Sequence, residues 1–125
     1  MQEVEMDADK RKYLRFKVAI PAEFELQGDK EKNIIAKICD FSREGFQIIC
    51  AETDPSIERE SLNFQMRPPY QQGIVNAKAD VVWTKKEKGN LCMGLSITEI
   101  DPSDKVKILE HAYEQWRRKM QAQHS

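Results

Sequence analysis

Residues 40–45, Asp40-Phe41-Ser42-Arg43-Glu44-Gly45, separate two runs of alternating hydrophobicity. Upstream, Ile34, Ala36 and Ile38 occupy every second position; downstream, Phe46, Ile48 and Cys50 do the same. A period of two is the repeat of a strand with one face buried. The polar link Ser42-Arg43-Glu44 makes the two runs a hairpin, and Gly45 can take a positive φ there at little cost. The stretch therefore predicts strands over 33–41 and 45–51, joined at a tip that carries an acid, a hydroxyl and a glycine.

The same repeat recurs on either side. Val18, Ile20, Ala22, Phe24 and Leu26 alternate with polar residues, and Pro21 within that strand suggests an edge or a bulge. Gly28-Asp29-Lys30 turns the chain into the next strand, and residues 52–60, with Pro55, read as a loop. Leu62, Phe64 and Met66 make a brief fourth strand ended by Pro68-Pro69. A long fifth strand follows Gly73, with Val75, Ala77, Ala79, Val81 and Trp83 on one face. After a charged turn over 85–90, Leu91, Met93, Leu95 and Ile97 alternate as the sixth.

Asp101-Pro102 then opens a helix, with Asp101 as N-cap and Pro102 in the first helical position. Val106, Leu109, Tyr113, Trp116 and Met120 recur at spacings of three and four, a single apolar stripe. Packing on the chain's own strands explains that stripe, and so does pairing with a second copy; monomer and homodimer both stay open. Arg117, Arg118 and Lys119 suit the negative end of the helix dipole. Six short-looped strands and one terminal amphipathic helix predict a small antiparallel β-barrel, a closed form that removes exposed strand edges, with the helix laid against it.

Bulk composition excludes several classes. The 125 residues suit one domain, and 20 Lys and Arg against 21 Asp and Glu leave a formal charge of −1. Global charge therefore points neither to nucleic acid nor to a membrane surface. No apolar run approaches the ~20 residues of a membrane span, and the acidic N-terminus lacks the apolar core of a secretory signal. Cys39, Cys50 and Cys92 are odd in number and widely spaced, which argues against a disulfide framework and for a reducing, cytoplasmic setting. With scattered cysteines and the isolated His111 and His124, no zinc site is expected. Nor does any stretch combine a nucleophile with its base, a phosphate-binding glycine loop or a catalytic carboxylate pair, so no enzyme is expected. Trp83, in line with Val81, and Trp116, within the helix stripe, read as core residues.

Charge is uneven locally. An acidic leader over residues 1–9, expected to be mobile, is followed at once by Lys10-Arg11-Lys12-Tyr13-Leu14-Arg15. Arg11 and Arg15 stand four residues apart just ahead of the first strand, and Asp40-x-Ser42-x-x-Gly45 lies between the next two. Taken singly, a basic segment is ordinary solvated surface, and Asp-x-Ser-x-x-Gly is ordinary turn chemistry. Taken together and in this order, Arg-x-x-x-Arg followed by Asp-x-Ser-x-x-Gly resembles the paired signature of PilZ domains, bacterial receptors for cyclic di-GMP. The resemblance covers about residues 10–115, though outside the two motifs it rests on pattern alone.

What the resemblance implies can be set beside the chemistry of these side chains. An arginine fork matches the O6 and N7 acceptors of guanine, and a guanidinium also stacks on a base or neutralises a phosphate. An aspartate accepts from the guanine N1–H and N2 amine, which arginine cannot do. By resemblance, Arg11, Arg15, Asp40, Ser42 and Gly45 are the ligand-binding set, with Lys10 a candidate contact to a second, intercalated ligand molecule. Many family members carry arginine where this chain has Lys10, and lysine lacks the planar fork, so ligand stoichiometry stays open.

The domain reading is a single PilZ-like unit over 10–122: a ligand-binding switch segment at 10–17, the barrel at 18–98 and the helix at 102–122. The function it implies is a stand-alone receptor with cyclic di-GMP as ligand and no cofactor or metal. It would change surface on binding and signal to an unidentified effector protein controlling motility, pili or exopolysaccharide. No DNA or RNA partner and no direct membrane insertion are expected. A PilZ-like interaction module that binds no nucleotide is the alternative. A third reading, a nucleic-acid-binding barrel using the basic patch, has less support, because no strand carries an exposed aromatic pair.

Overall fold

Alternating apolar residues in six segments produce six strands whose inner faces share one core. The structure, a computed structural model, describes residues 15–26, 29–51 and 61–124. The strands are β1 (Phe16–Leu26), β2 (Asp29–Phe41), β3 (Gly45–Ala51), β4 (Ser61–Met66), β5 (Val75–Glu87) and β6 (Asn90–Ile100), followed by the helix α1 (Pro102–His124). They form a closed barrel in the order β1-β2-β3-β6-β5-β4, every pairing antiparallel. This is the barrel with a terminal helix that the alternation predicts. The expected loop over 52–60 lies outside the described residues.

Inward side chains fill the barrel. Phe24, Ile38, Phe41, Ile48, Leu62, Phe64, Met66, Leu91 and Met93 are essentially inaccessible. Phe46 joins two aromatic contacts, stacked on Phe41 and edge-on to Phe64, so residues from β2, β3 and β4 meet in one cluster. Closure leaves β1 with neighbours on both sides, so Pro21 is not on an edge. It follows a register irregularity between Lys17 and Ile20, and its carbonyl accepts from the Arg67 amide at 2.8 Å.

Two bulges decide which residues face outward. On β2, Ile38 pairs with Ile48 but Asp40 pairs with Gln47, so Cys39 is an extra residue. Strict alternation from Ile38 would point Asp40 inward; the extra residue turns it to the outer face. On β5, Val81 pairs with Leu95 but Trp83 pairs with Gly94, so Val82 is extra. That corrects the expectation of a core Trp83. Its indole lies on the outer face across Gly94, where an added Cβ would sit only 2.1 Å from the Trp83 ring nitrogen.

The helix begins as expected, with Asp101 Oδ1 accepting from the Ser103 amide at 2.8 Å and the Ser103 hydroxyl at 2.7 Å. Those bonds hold the Asp101 carboxyl below the usual carboxylate range. The helix docks mainly on β1, and its most buried residues are Ile108 and Ala112. The predicted stripe shares in seating it, with Leu109 packed against the core and Tyr113 and Trp116 against Phe16, but it is not fully covered. Val106 is 50% exposed and Tyr113 47%, with Leu109, Trp116 and Met120 intermediate.

Gly45 also differs from expectation. Positive φ occurs at Gly73, Gly89 and Lys88 among the described residues, not at Gly45. What Gly45 supplies is room: a Cβ there would lie 1.9 Å from the Leu95 carbonyl oxygen. Backbone, not a flexible side chain, blocks the space, so a methyl group must separate β3 from β6. Gly45→Ala should cost about 3 kcal/mol, read as a lower urea midpoint with unchanged slope.

Candidate functional site

Arg15, the described member of the first motif, lies at the same end of the barrel as the hairpin tip over 40–45. Arg15 stands immediately before β1, and Asp40 lies on β2, opposite Lys17. The Arg15 guanidinium is 3.7 Å from Asp40 Oδ2, both side chains being partly exposed.

A residue outside the motifs joins them. Gln47, paired with Asp40 across β2 and β3, has a side-chain amide that meets both groups. In the orientation that satisfies both ends, its nitrogen donates to Asp40 Oδ2 at 3.2 Å and its oxygen accepts from Arg15 Nη1. Nothing in the linear sequence marks Gln47; only the register, with its bulge at Cys39, brings it there. Cys39 Sγ donates to the Gln47 carbonyl at 3.4 Å, and burial, reinforced by the Asp40 carboxylate, raises the thiol pKa.

Registered pairs extend the site into a row. Lys17, Asp40, Gln47, Gly94 and Trp83 are successive cross-strand partners on β1, β2, β3, β6 and β5. Paired residues share a face, so cation, acid and amide, and beyond Gly94 an indole plane, follow one another along the outer surface. Strand spacing makes the row about 20 Å long. Gly94 leaves the space that the indole occupies.

Ser42 and Gly45 shape the hairpin end of this surface. Ser42 is 6% exposed, and its amide donates to the Gly45 carbonyl at 2.8 Å. Its hydroxyl donates to that same carbonyl and accepts from the Gly45 amide, each at 3.2 Å. The Ile97 amide donates to the Glu44 carbonyl at 2.7 Å, anchoring the tip to β6. In this arrangement Ser42 closes the turn that carries Asp40. The structure thus brings together Arg15, Asp40, Ser42 and Gly45 from the predicted set, while Lys10 and Arg11 lie outside the described residues.

Both site elements also touch α1. Lys105 Nζ donates to the Arg43 carbonyl at 3.4 Å, beside the hairpin tip. Phe16, next to Arg15, meets the rings of Tyr113 and Trp116 edge-on, with centroids 6.1 Å and 6.3 Å away. His111 stacks obliquely on Tyr70 at 4.7 Å, a packing role. Among the described residues, no helix is long and apolar enough to cross a membrane.

A model of the PilZ domain family matches residues 9–114. The chain belongs to the PilZ domain family. A search of curated proteins gave no significant match. Among solved structures, the Bacillus subtilis inhibitor of motility MotI/DgrA is similar, with a TM-score of 0.73 and 19% identity over 87% of this chain and 52% of that one. YcgR of Escherichia coli, solved in complex with c-di-GMP, gives a TM-score of 0.72 at 13% identity, over 92% of this chain and 50% of that one. The isolated PilZ domain of the same protein with c-di-GMP gives 0.70 at 11% identity, over 93% of this chain and 98% of that one. The chain thus spans about half the length of the first two proteins and nearly all of the isolated PilZ domain.

Ser42→Ala, by removing the hydroxyl that bridges both ends of the turn, should destabilise the fold by about 1 kcal/mol. Urea unfolding of the ligand-free protein checks this, apart from any effect on binding.

Proposed function

We propose that this PilZ domain is a cyclic di-GMP receptor whose output is a change in the surface it offers to another protein. The observation that carries the reading is the outer-face cluster of Arg15, Asp40 and Gln47, at the meeting point of the two motifs. Arg15 supplies a planar fork for a guanine edge or a phosphate, and Asp40 accepts from the guanine N1–H and N2 amine. Trp83, at the far end of the same row, offers a ring face on which a base can stack. Arg11 and Lys10, a few residues upstream in the chain, supply the remaining cations, and Lys10 is the candidate for a second ligand molecule. Both larger solved relatives point the same way: one is named as an inhibitor of motility, and the other was solved with c-di-GMP.

The switch follows from the contacts of Arg15. In the structure its guanidinium is held by Asp40 and Gln47. A ligand that engages Arg15 with bidentate, charge-assisted bonds outweighs that partly exposed pair. Movement of Arg15 pulls on Phe16, its chain neighbour, and through Phe16 on Tyr113 and Trp116 of α1. The altered face reports binding to an effector of motility, pili or exopolysaccharide. The setting is the cytoplasm, and the protein performs no catalysis.

Isothermal titration of the full chain with cyclic di-GMP, beside GTP, tests the reading. Binding in the micromolar range or tighter, weakened at least about 100-fold in Arg11→Ala/Arg15→Ala, is the expected result. Lys10→Ala should lower the ligand stoichiometry. A folded protein that binds no cyclic di-GMP would instead be a PilZ-like interaction module without nucleotide.

A further inference from the structure

The helix α1 carries two apolar faces; the barrel covers one of them and only part of the other, where Leu109 packs against the core. Ile108 and Ala112, each 1% exposed, are its most buried residues. Val106, Leu109, Tyr113, Trp116 and Met120 follow one another at intervals of three, four, three and four residues. That is the heptad spacing of a helix that pairs with another helix, with Val106, Tyr113 and Met120 at one core position and Leu109 and Trp116 at the other. At about 100° per residue, this stripe is centred roughly 100° around α1 from the line through Ile108 and Ala112. Trp116 and Tyr113 border the barrel at Phe16, but Val106 and Tyr113 remain about half exposed, at 50% and 47%. A stripe placed only to seat α1 on its own barrel would be covered by it.

We infer that this stripe is the seam of an antiparallel helix pair between two copies of the chain. The flanking charges select the partner. Glu110 and Arg117, both exposed, occupy the same heptad position on one side of the seam, one heptad apart. When a second α1 runs antiparallel so that Tyr113 of each copy packs beside Trp116 of the other, Glu110 of each faces Arg117 of the other. Two-fold symmetry forms the pair twice from one patch. The docked residues Ile108 and Ala112 keep their places, so each barrel stays intact in the dimer. The inference is independent of what the nucleotide site binds.

Sedimentation velocity of the full chain, from about 10 µM to about 1 mM, tests it in the range where so short an interface associates. The expected result is a sedimentation coefficient that rises with concentration toward that of a dimer. Val106→Glu/Met120→Glu, which leaves the barrel-facing residues untouched, should sediment as a monomer throughout with an unchanged circular dichroism spectrum. Glu110→Arg should weaken association at least about 10-fold, and Glu110→Arg/Arg117→Glu should restore it, because only the antiparallel arrangement pairs these two positions. A wild-type monomer at every concentration, dimerisation that survives Val106→Glu/Met120→Glu, or no recovery in the charge-swapped double variant would each overturn the inference.

Discussion

Closure of the sheet is the constraint on which the rest of the structure depends. β1 pairs with β2 on one side and with β4 on the other, which gives every strand two neighbours. Closure packs the Phe24, Phe41, Phe46 and Phe64 rings into one interior, and it requires β3 to pass the Leu95 carbonyl without a side chain at Gly45. It also creates a continuous outer surface on which side chains from four strands, with Gly94 between two of them, stand in register. A binding surface assembled this way is as rigid as the hydrogen-bonded sheet beneath it.

The bulges at Cys39 and Val82 set what that scaffold presents on its outer face. Each adds one residue to an otherwise regular ladder, and each reverses the face of the residue that follows. The first turns Asp40 outward toward Arg15 and Gln47, and the second lays Trp83 over Gly94. Beneath them the core stays apolar: Ile38, Phe41 and Leu95 keep their inward positions.

Much of this was legible in the sequence, and what was missed has local causes. Alternation located all six strands, because a strand buried on one face must repeat every second residue. Asp101 and Pro102 marked the start of the helix because an N-cap has few alternatives. Of the residues in the paired motifs, Arg15 and Asp40 meet as an ion pair, while Arg11 lies outside the described residues. Alternation alone cannot register a bulge, so Trp83 was assigned to the core. Gln47 belongs to no motif and becomes a neighbour of Arg15 and Asp40 only through cross-strand pairing. Gly45 was expected for its conformational freedom, whereas close approach of the Leu95 carbonyl is what requires it. In the helix, the five-residue apolar stripe drew attention from Ile108 and Ala112, which seat it, since a sequence does not say which of two faces meets the barrel.

NMR titration of the 125-residue chain with cyclic di-GMP reads every position along the outer row at once. The account predicts the largest shifts at the amides of Arg15, Asp40 and Gln47 and at the Trp83 indole. Glu25, Asn63 and Lys78, a registered row nearer the other end of the barrel, should stay unchanged. A spectrum that does not respond, or shifts concentrated around Glu25, Asn63 and Lys78, would contradict it.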